Sequence, residues 1–262
     1  MRLTVDGNEI FVATGGRDFD PNLPAIVFLH GAGMDHSVWA LLARAFAHHG
    51  CSVLAPDLPG HGHSAGAPLS SIAALADWTA ALIDAAGIRA ARLVGHSMGS
   101  LMALETAARH PEKVTALALI AIAAPMRVSE DLLNAAKAND HAAIDMIAIW
   151  GEGYHATLGG SEAPGLWMLG GAERLLERAR PGVIFTDLCA CNDYRDALAA
   201  VTKVKVPSAV ILGSRDLMTP AKSGKTVAAA IPGCRLTVLE GAGHMLMSER
   251  PDEVLVALRG GD

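Results

Sequence analysis

Arg92-Leu93-Val94-Gly95-His96-Ser97-Met98-Gly99, residues 92–99, decides the fold. Arg92 to Val94 is a short apolar run that closes in Gly95, and it reads as a buried strand. From Met98 to about Arg109 the spacing is helical, and Pro111 stops it. A G-x-S-x-G pattern alone arises by chance in glycine-rich chains. Between a strand and a helix it has a mechanical meaning: the chain turns sharply and holds the serine at the tip of the turn. Glycines at 95 and 99 let neighbouring backbone pass without collision. Ser97 is therefore the candidate nucleophile.

The same rhythm extends outward in both directions. Ala25 to Leu29 and Ser52 to Ala55 are continuous apolar runs, as strands buried on both faces require. Ile72, Leu75, Ala76, Thr79, Leu82 and Ile83 repeat at helical spacing, with Ser70 or Ser71 as N-cap and Gly87 at the C-terminal cap. Val114 to Ile122 reads as a further long strand. Strand–helix–strand alternation implies a mostly parallel central sheet with helices on both faces. A hairpin through Asp6-Gly7 adds antiparallel strands at one edge. After Ala124-Pro125 the strands cease and only helical patches follow, with a glycine-rich, irregular stretch at Gly151 to Gly171. The rhythm resumes with a strand at Ser208 to Leu212, a helix near Lys222 to Ile231, a strand at Arg235 to Leu239 and a helix after Pro251. The domain reading is an α/β core from residues 1–124 and 204–262, interrupted by a helical insertion at 125–203.

Four segments resemble the α/β-hydrolase superfamily, and the resemblance spans nearly the whole chain. They are His30-Gly31-Ala32-Gly33; Asp57-Leu58-Pro59-Gly60-His61-Gly62-His63-Ser64; the Ser97 turn; and Gly213-Ser214-Arg215-Asp216 with Thr219-Pro220 and Gly241-Ala242-Gly243-His244. Each follows a predicted strand. A serine hydroxyl needs a base to take its proton as it attacks, and a histidine suits that role and the later return of the proton. His244 lies in a loop of small residues that leaves its imidazole free to reach Ser97. A carboxylate must then hold the ring tautomer, and Asp216 follows a buried strand at a suitable place. The order Ser97, Asp216, His244 is the order this fold uses. The alternative position for the acid, Ala121 to Pro125, contains no carboxylate. The resemblance further implies an oxyanion hole made from the backbone N–H groups of Ala32 and Met98. It also implies that the insertion forms a cap over the site.

Other candidates carry less. Asp57 precedes a Pro-Gly turn and is expected to organise that loop. His61 and His63 form an H-x-H without a third ligand, so no metal site is expected. His30 and His96 flank reacting positions as structural supports, and His48, His49 and His110 fall on helix surfaces. Cys51, Cys189, Cys191 and Cys234 are too scattered for a disulfide framework.

Composition bounds the remaining function classes. The chain has 262 residues, net charge −6 and 51% hydrophobic residues, so a large core is available and no basic stripe suits nucleic acid. The start, MRLTVDGNEI, has no apolar signal-peptide region, and no apolar run is long enough to span a membrane. A cytoplasmic protein is expected, without cofactor; no oligomeric state follows from the sequence.

Met146, Ile149, Trp150, Trp167, Met168 and Leu169 are the candidate pocket wall, although such apolar residues equally suit packing of the insertion onto the core. Cys191, Asn192, Asp193 and Tyr194 form a polar cluster or merely a helix end. Serine at 97 departs from dehalogenases and epoxide hydrolases, which need a carboxylate there. His96 departs from the asparagine of ring-cleavage C–C hydrolases. The run His96-Ser97-Met98-Gly99 is similar to carboxylesterases, monoacylglycerol-type lipases and cofactor-free perhydrolases. Hydrolysis of a small-molecule carboxylic ester of small or medium acyl chain is the leading expectation. C–C, lactone or thioester hydrolysis on the same triad is the alternative. A ligand-binding receptor role would be favoured by a degraded triad, and all three residues are present.

Overall fold

A computed structural model describes residues 1–160, 165 and 167–260. Eight strands form one sheet: β1 (Arg2–Val5), β2 (Asn8–Ala13), β3 (Ala25–Leu29), β4 (Ser52–Pro56), β5 (Ala91–His96), β6 (Val114–Ile120), β7 (Ser208–Gly213) and β8 (Arg235–Leu239). Their order is β1-β2-β4-β3-β5-β6-β7-β8. β1 and β2 pair antiparallel through the Asp6-Gly7 turn, and β2 pairs antiparallel with β4. All pairings from β4 to β8 are parallel.

Alternation along the strands builds two apolar layers. In β3, Val27 and Leu29 join the cluster that holds Leu75, Leu82, Leu101 and Leu104. Ile26 and Phe28 point to the other face, among Trp39, Leu42, Phe46 and Leu258. Both sets are buried, which is why the strand is a continuous apolar run rather than an alternating one. The helix Ile72–Ala85 is capped by Ser71, whose side chain accepts from Ala74 N–H, and Gly87 takes φ +71° after its end.

One strand ends earlier than its sequence suggests. Val114 to Ile122 is apolar throughout, but β6 stops at Ile120 because Ala121 turns to φ +53°. The Thr219 hydroxyl oxygen then lies 3.0 Å from the Ala121 carbonyl oxygen. Between β6 and β7 the described residues form the helices Glu130–Lys137, Ala142–Gly151, Tyr154–Thr157, Met168–Leu176, Val183–Asp193 and Ala197–Val201, with no strand among them. Part of the glycine-rich stretch, 161–164 and 166, lies outside the described residues.

Candidate active site

The turn at Ser97 is built by steric exclusion. Ser97 has φ +54° and ψ −117°, outside the regions that non-glycine residues ordinarily occupy, and it N-caps the helix Met98–Arg109. Its N–H donates to Ile120 O at 3.0 Å, and its carbonyl accepts from Ser100 N–H at 2.9 Å and Ser100 Oγ at 2.6 Å. A Cβ at 95 would sit 2.0 Å from the Gly99 oxygen, and one at 99 would sit 2.1 Å from the Leu29 oxygen. Glycine is thus required at both positions for the helix to pack this close to β3 and β5.

Asp216 lies just past β7, with four donors on its carboxylate. Oδ1 accepts from Met218 N–H at 2.8 Å and Thr219 N–H at 2.7 Å. Oδ2 accepts from His244 Nδ1 at 2.8 Å and has Thr219 Oγ at 2.7 Å. Burial alone would raise its pKa, but His244 and the Thr219 donors outweigh burial and hold it below the usual carboxylate range. Asp216 is thus ionised at neutral pH, which keeps the His244 proton on Nδ1 and leaves Nε2 as an acceptor.

His244 sits after β8 on a loop clamped from several sides. Its N–H donates to Gly151 O at 2.8 Å, and its carbonyl accepts from His96 Nε2 at 2.9 Å. Glu249 accepts from the Gly243 N–H at 3.0 Å and from the Gly153 N–H at 3.1 Å. Burial, then the His244 charge, lowers the His96 pKa to about 3, so His96 is neutral. Burial, then the nearby Glu249 charge, raises Glu152 beneath this loop to about 8.

His30 anchors the first loop as a neutral donor–acceptor. Its Nδ1 donates to Gly31 O at 2.9 Å and its Nε2 accepts from Leu58 N–H at 3.1 Å. Burial, then the His61 charge, brings its pKa to about 4. Asp57 organises its turn as expected, accepting from His36 N–H, His36 Nδ1 and His63 N–H at 2.9, 2.6 and 2.8 Å. Despite burial, these bonds lower its pKa to about 2. Asp35, His36 and Asp57 are close enough to suggest a metal. Their atoms are instead engaged with Ser37, Arg178 and His63 as well as one another, which fits loop bracing.

Ser97, His244, Thr219 and Ala32 face one cavity of about 190 Å³. Every one of them follows the carboxyl end of a parallel strand, where open α/β sheets place their sites. A wider hollow of about 870 Å³ lies at the opposite strand ends, around Pro24, Arg92 and Pro207, and holds none of these residues. Met98 begins the helix after Ser97, where the first N–H groups lack intrahelical acceptors.

The cavity wall differs from the sequence expectation. Trp150 lines it, together with Leu132, Ile147, Leu188 and Met218. Met146 does not; it packs on the apolar layer beside Ile147. Trp167 and Met168 line a separate hollow with Ser37, Glu152 and Arg174, and Trp167 is 70% exposed. Ile149 is also exposed. Apolar residues mark the insertion's packing faces but cannot say which face meets Ser97. Cys191 reaches the cavity, whereas Tyr194 donates its hydroxyl to buried Glu105. Sequence reading also missed Glu249, which joins nearby Gly243 to distant Gly153, and Asp187, whose partners Gly33 and His61 both lie far away in the chain.

The alpha/beta hydrolase family model matches residues 26–258. The chain belongs to the alpha/beta hydrolase family. It is 33% identical over 247 residues to a pimeloyl-[acyl-carrier protein] methyl ester esterase of Chromobacterium violaceum, covering 90% of this chain and 91% of that one. The solved enol-lactonase of Burkholderia xenovorans superposes with TM-score 0.85 at 25% identity, over 98% of each chain. A thermophilic esterase superposes with TM-score 0.81 at 27% identity, over 100% of this chain and 96% of that one. Ester hydrolysis, the expected chemistry, agrees with these relatives. No helix among the described residues is long and apolar enough to cross a membrane.

Proposed function

We propose that the protein hydrolyses carboxylic esters of small or medium acyl groups through an acyl-Ser97 intermediate. The observation that carries this reading is the shared cavity of Ser97 and His244, with His244 Nδ1 bonded to a fully engaged Asp216 carboxylate. His244 Nε2 takes the Ser97 proton as Oγ attacks the ester carbonyl, then delivers it to the departing alcohol. Water, deprotonated by the same nitrogen, hydrolyses the acyl-enzyme. The N–H groups of Ala32 and Met98 stabilise the oxyanion, each such donor typically contributing about a hundredfold to a thousandfold in rate. The helix dipole at Met98 adds to this. No step needs a metal.

The segment 125–203 acts as a cap, and its Leu132, Ile147, Trp150 and Leu188 set the acyl group admitted. At about 190 Å³ the cavity is smaller than the ~300–1,000 Å³ of sites for drug-sized ligands, which favours short acyl chains. A lactone is a cyclic ester that the same groups can open, and the likeness to an enol-lactonase favours that second reading.

Hydrolysis of p-nitrophenyl esters from acetate to dodecanoate, by wild type and Ser97→Ala, tests the proposal. Turnover should peak at short chains and fall by several orders of magnitude in the variant. No turnover of any ester or lactone by folded wild type would overturn it.

A further inference from the structure

We propose that Asp187, a residue of the inserted segment, positions the oxyanion loop. Paired with buried His61, it fixes the Gly31-Ala32-Gly33 turn and so sets the direction of the Ala32 N–H. This rests on the serine-hydrolase reading above. Asp187 Oδ2 accepts from the Gly33 N–H at 2.8 Å and from His61 Nε2 at 2.8 Å. Gly33 adjoins Ala32, and Ala32 lines the cavity with Ser97. The loop also lies directly against the helix Val183–Asp193: a Cβ at 33 would sit 2.8 Å from Ile184 Cγ1. On its other side, a Cβ at 31 would sit 3.3 Å from Ser97 Cβ. A small shift of this turn therefore moves a donor relative to the nucleophile.

His61 is suited to holding the carboxylate. Its Nδ1 faces Pro59 O at 3.0 Å while Nε2 faces Asp187, so both ring nitrogens donate and the ring is an imidazolium. Burial opposes that charge, but the Asp187 charge and hydrogen bond outweigh it and raise the His61 pKa. His61 and Asp187 are 2% and 1% exposed, so water cannot replace either partner. With both nitrogens occupied, His61 is a positioning residue rather than a base.

The loop's two anchors can be separated: His30 fixes Gly31 from the core, whereas Asp187 fixes Gly33 from the insertion. Docking of the insertion thus completes the oxyanion hole as well as the pocket wall. A loop held in this way should affect transition-state binding far more than ground-state binding.

The test uses the full chain carrying Asp187→Ala or Asp187→Asn, with wild type and Ser97→Ala alongside. It reads kcat and KM for p-nitrophenyl butyrate, and the inhibition constant of phenylboronic acid, which forms a tetrahedral adduct on a serine. Asp187→Ala should lower kcat about 10- to 100-fold, less than outright loss of an oxyanion donor, with KM within about threefold. The boronic acid should weaken by the same factor as kcat/KM. Asp187→Asn keeps an acceptor for Gly33 but loses the ion pair, and should lose about three- to tenfold in both readouts. It carries the test alone if Asp187→Ala does not fold. Folded variants within twofold of wild type in kcat and boronic acid affinity, or altered only in KM, would overturn the inference. A wild type that neither hydrolyses esters nor binds the boronic acid would instead refute the serine-hydrolase reading itself.

Discussion

Among the described residues, two histidine–aspartate pairs are buried on both sides, His244–Asp216 and His61–Asp187, each closed at 2.8 Å. Residue types, separation and burial are alike, yet the pairs are suited to different work. His244 uses Nδ1 for its aspartate and keeps Nε2 for the cavity that also holds Ser97. His61 spends both nitrogens, on Asp187 and on Pro59 O. A histidine that donates from both nitrogens cannot accept a proton, whatever its neighbours. The ring atom left free decides between base and brace. Proximity to a carboxylate decides neither.

His244→Ala should therefore break the first pair with the largest effect, a fall in kcat of about a millionfold, read with a short p-nitrophenyl ester. Asp216→Asn keeps the shape but not the charge, and should cost about ten-thousandfold in kcat through the wrong His244 tautomer. His61→Ala sharpens the contrast because it should cost far less activity and more stability. Stranding buried Asp187 costs about 3–5 kcal/mol, or a Tm lower by roughly 6–20 °C in a scanning melt. Activity lost on the scale of His244→Ala without a change in Tm would contradict the distinction.

pH separates the contributions of charged groups to stability. The raised His61 pKa adds stability that is complete below its unfolded value of about 6.5 and disappears as pH rises through the folded value. Asp57 has the opposite sign. Its pKa falls from 3.8 to about 2, giving about 2 kcal/mol above the unfolded value that is lost as pH falls through the folded one. Urea melts between pH 2 and pH 5 should show that loss in wild type and a weaker slope in Asp57→Asn.

The smallest effects concern the wall. Trp150→Ala should move the acyl-chain optimum toward longer esters by a few carbons and change the preferred-to-disfavoured ratio by about 10- to 200-fold. Trp167→Ala should leave the optimum unchanged, because Trp167 lines a different hollow.

What was legible in the sequence follows the same division. Ser97, Asp216 and His244 each follow a strand that a short apolar run announces, and glycines mark the close approaches at 95, 99 and 213. The hairpin at Asp6-Gly7 and the Ser71 cap are equally local. Asp187 and His61 are 126 positions apart, and no local pattern joins them. The wall was obscured for a related reason. Met146 and Ile147 are adjacent apolar residues of one helix, and only its docking on the core turns Ile147 rather than Met146 toward Ser97. Ala121 shows the same limit within the core, where an apolar run concealed a left-handed turn.

The most direct measurement is the site of covalent labelling by a fluorophosphonate, mapped by peptide mass spectrometry, with and without competing short-chain ester. The expected result is one stoichiometric adduct on Ser97, suppressed by the ester and absent in His244→Ala over the same interval. An unlabelled Ser97 in folded wild type, or labelling unaffected by loss of His244, would contradict the assignment of Ser97 as a nucleophile activated by His244.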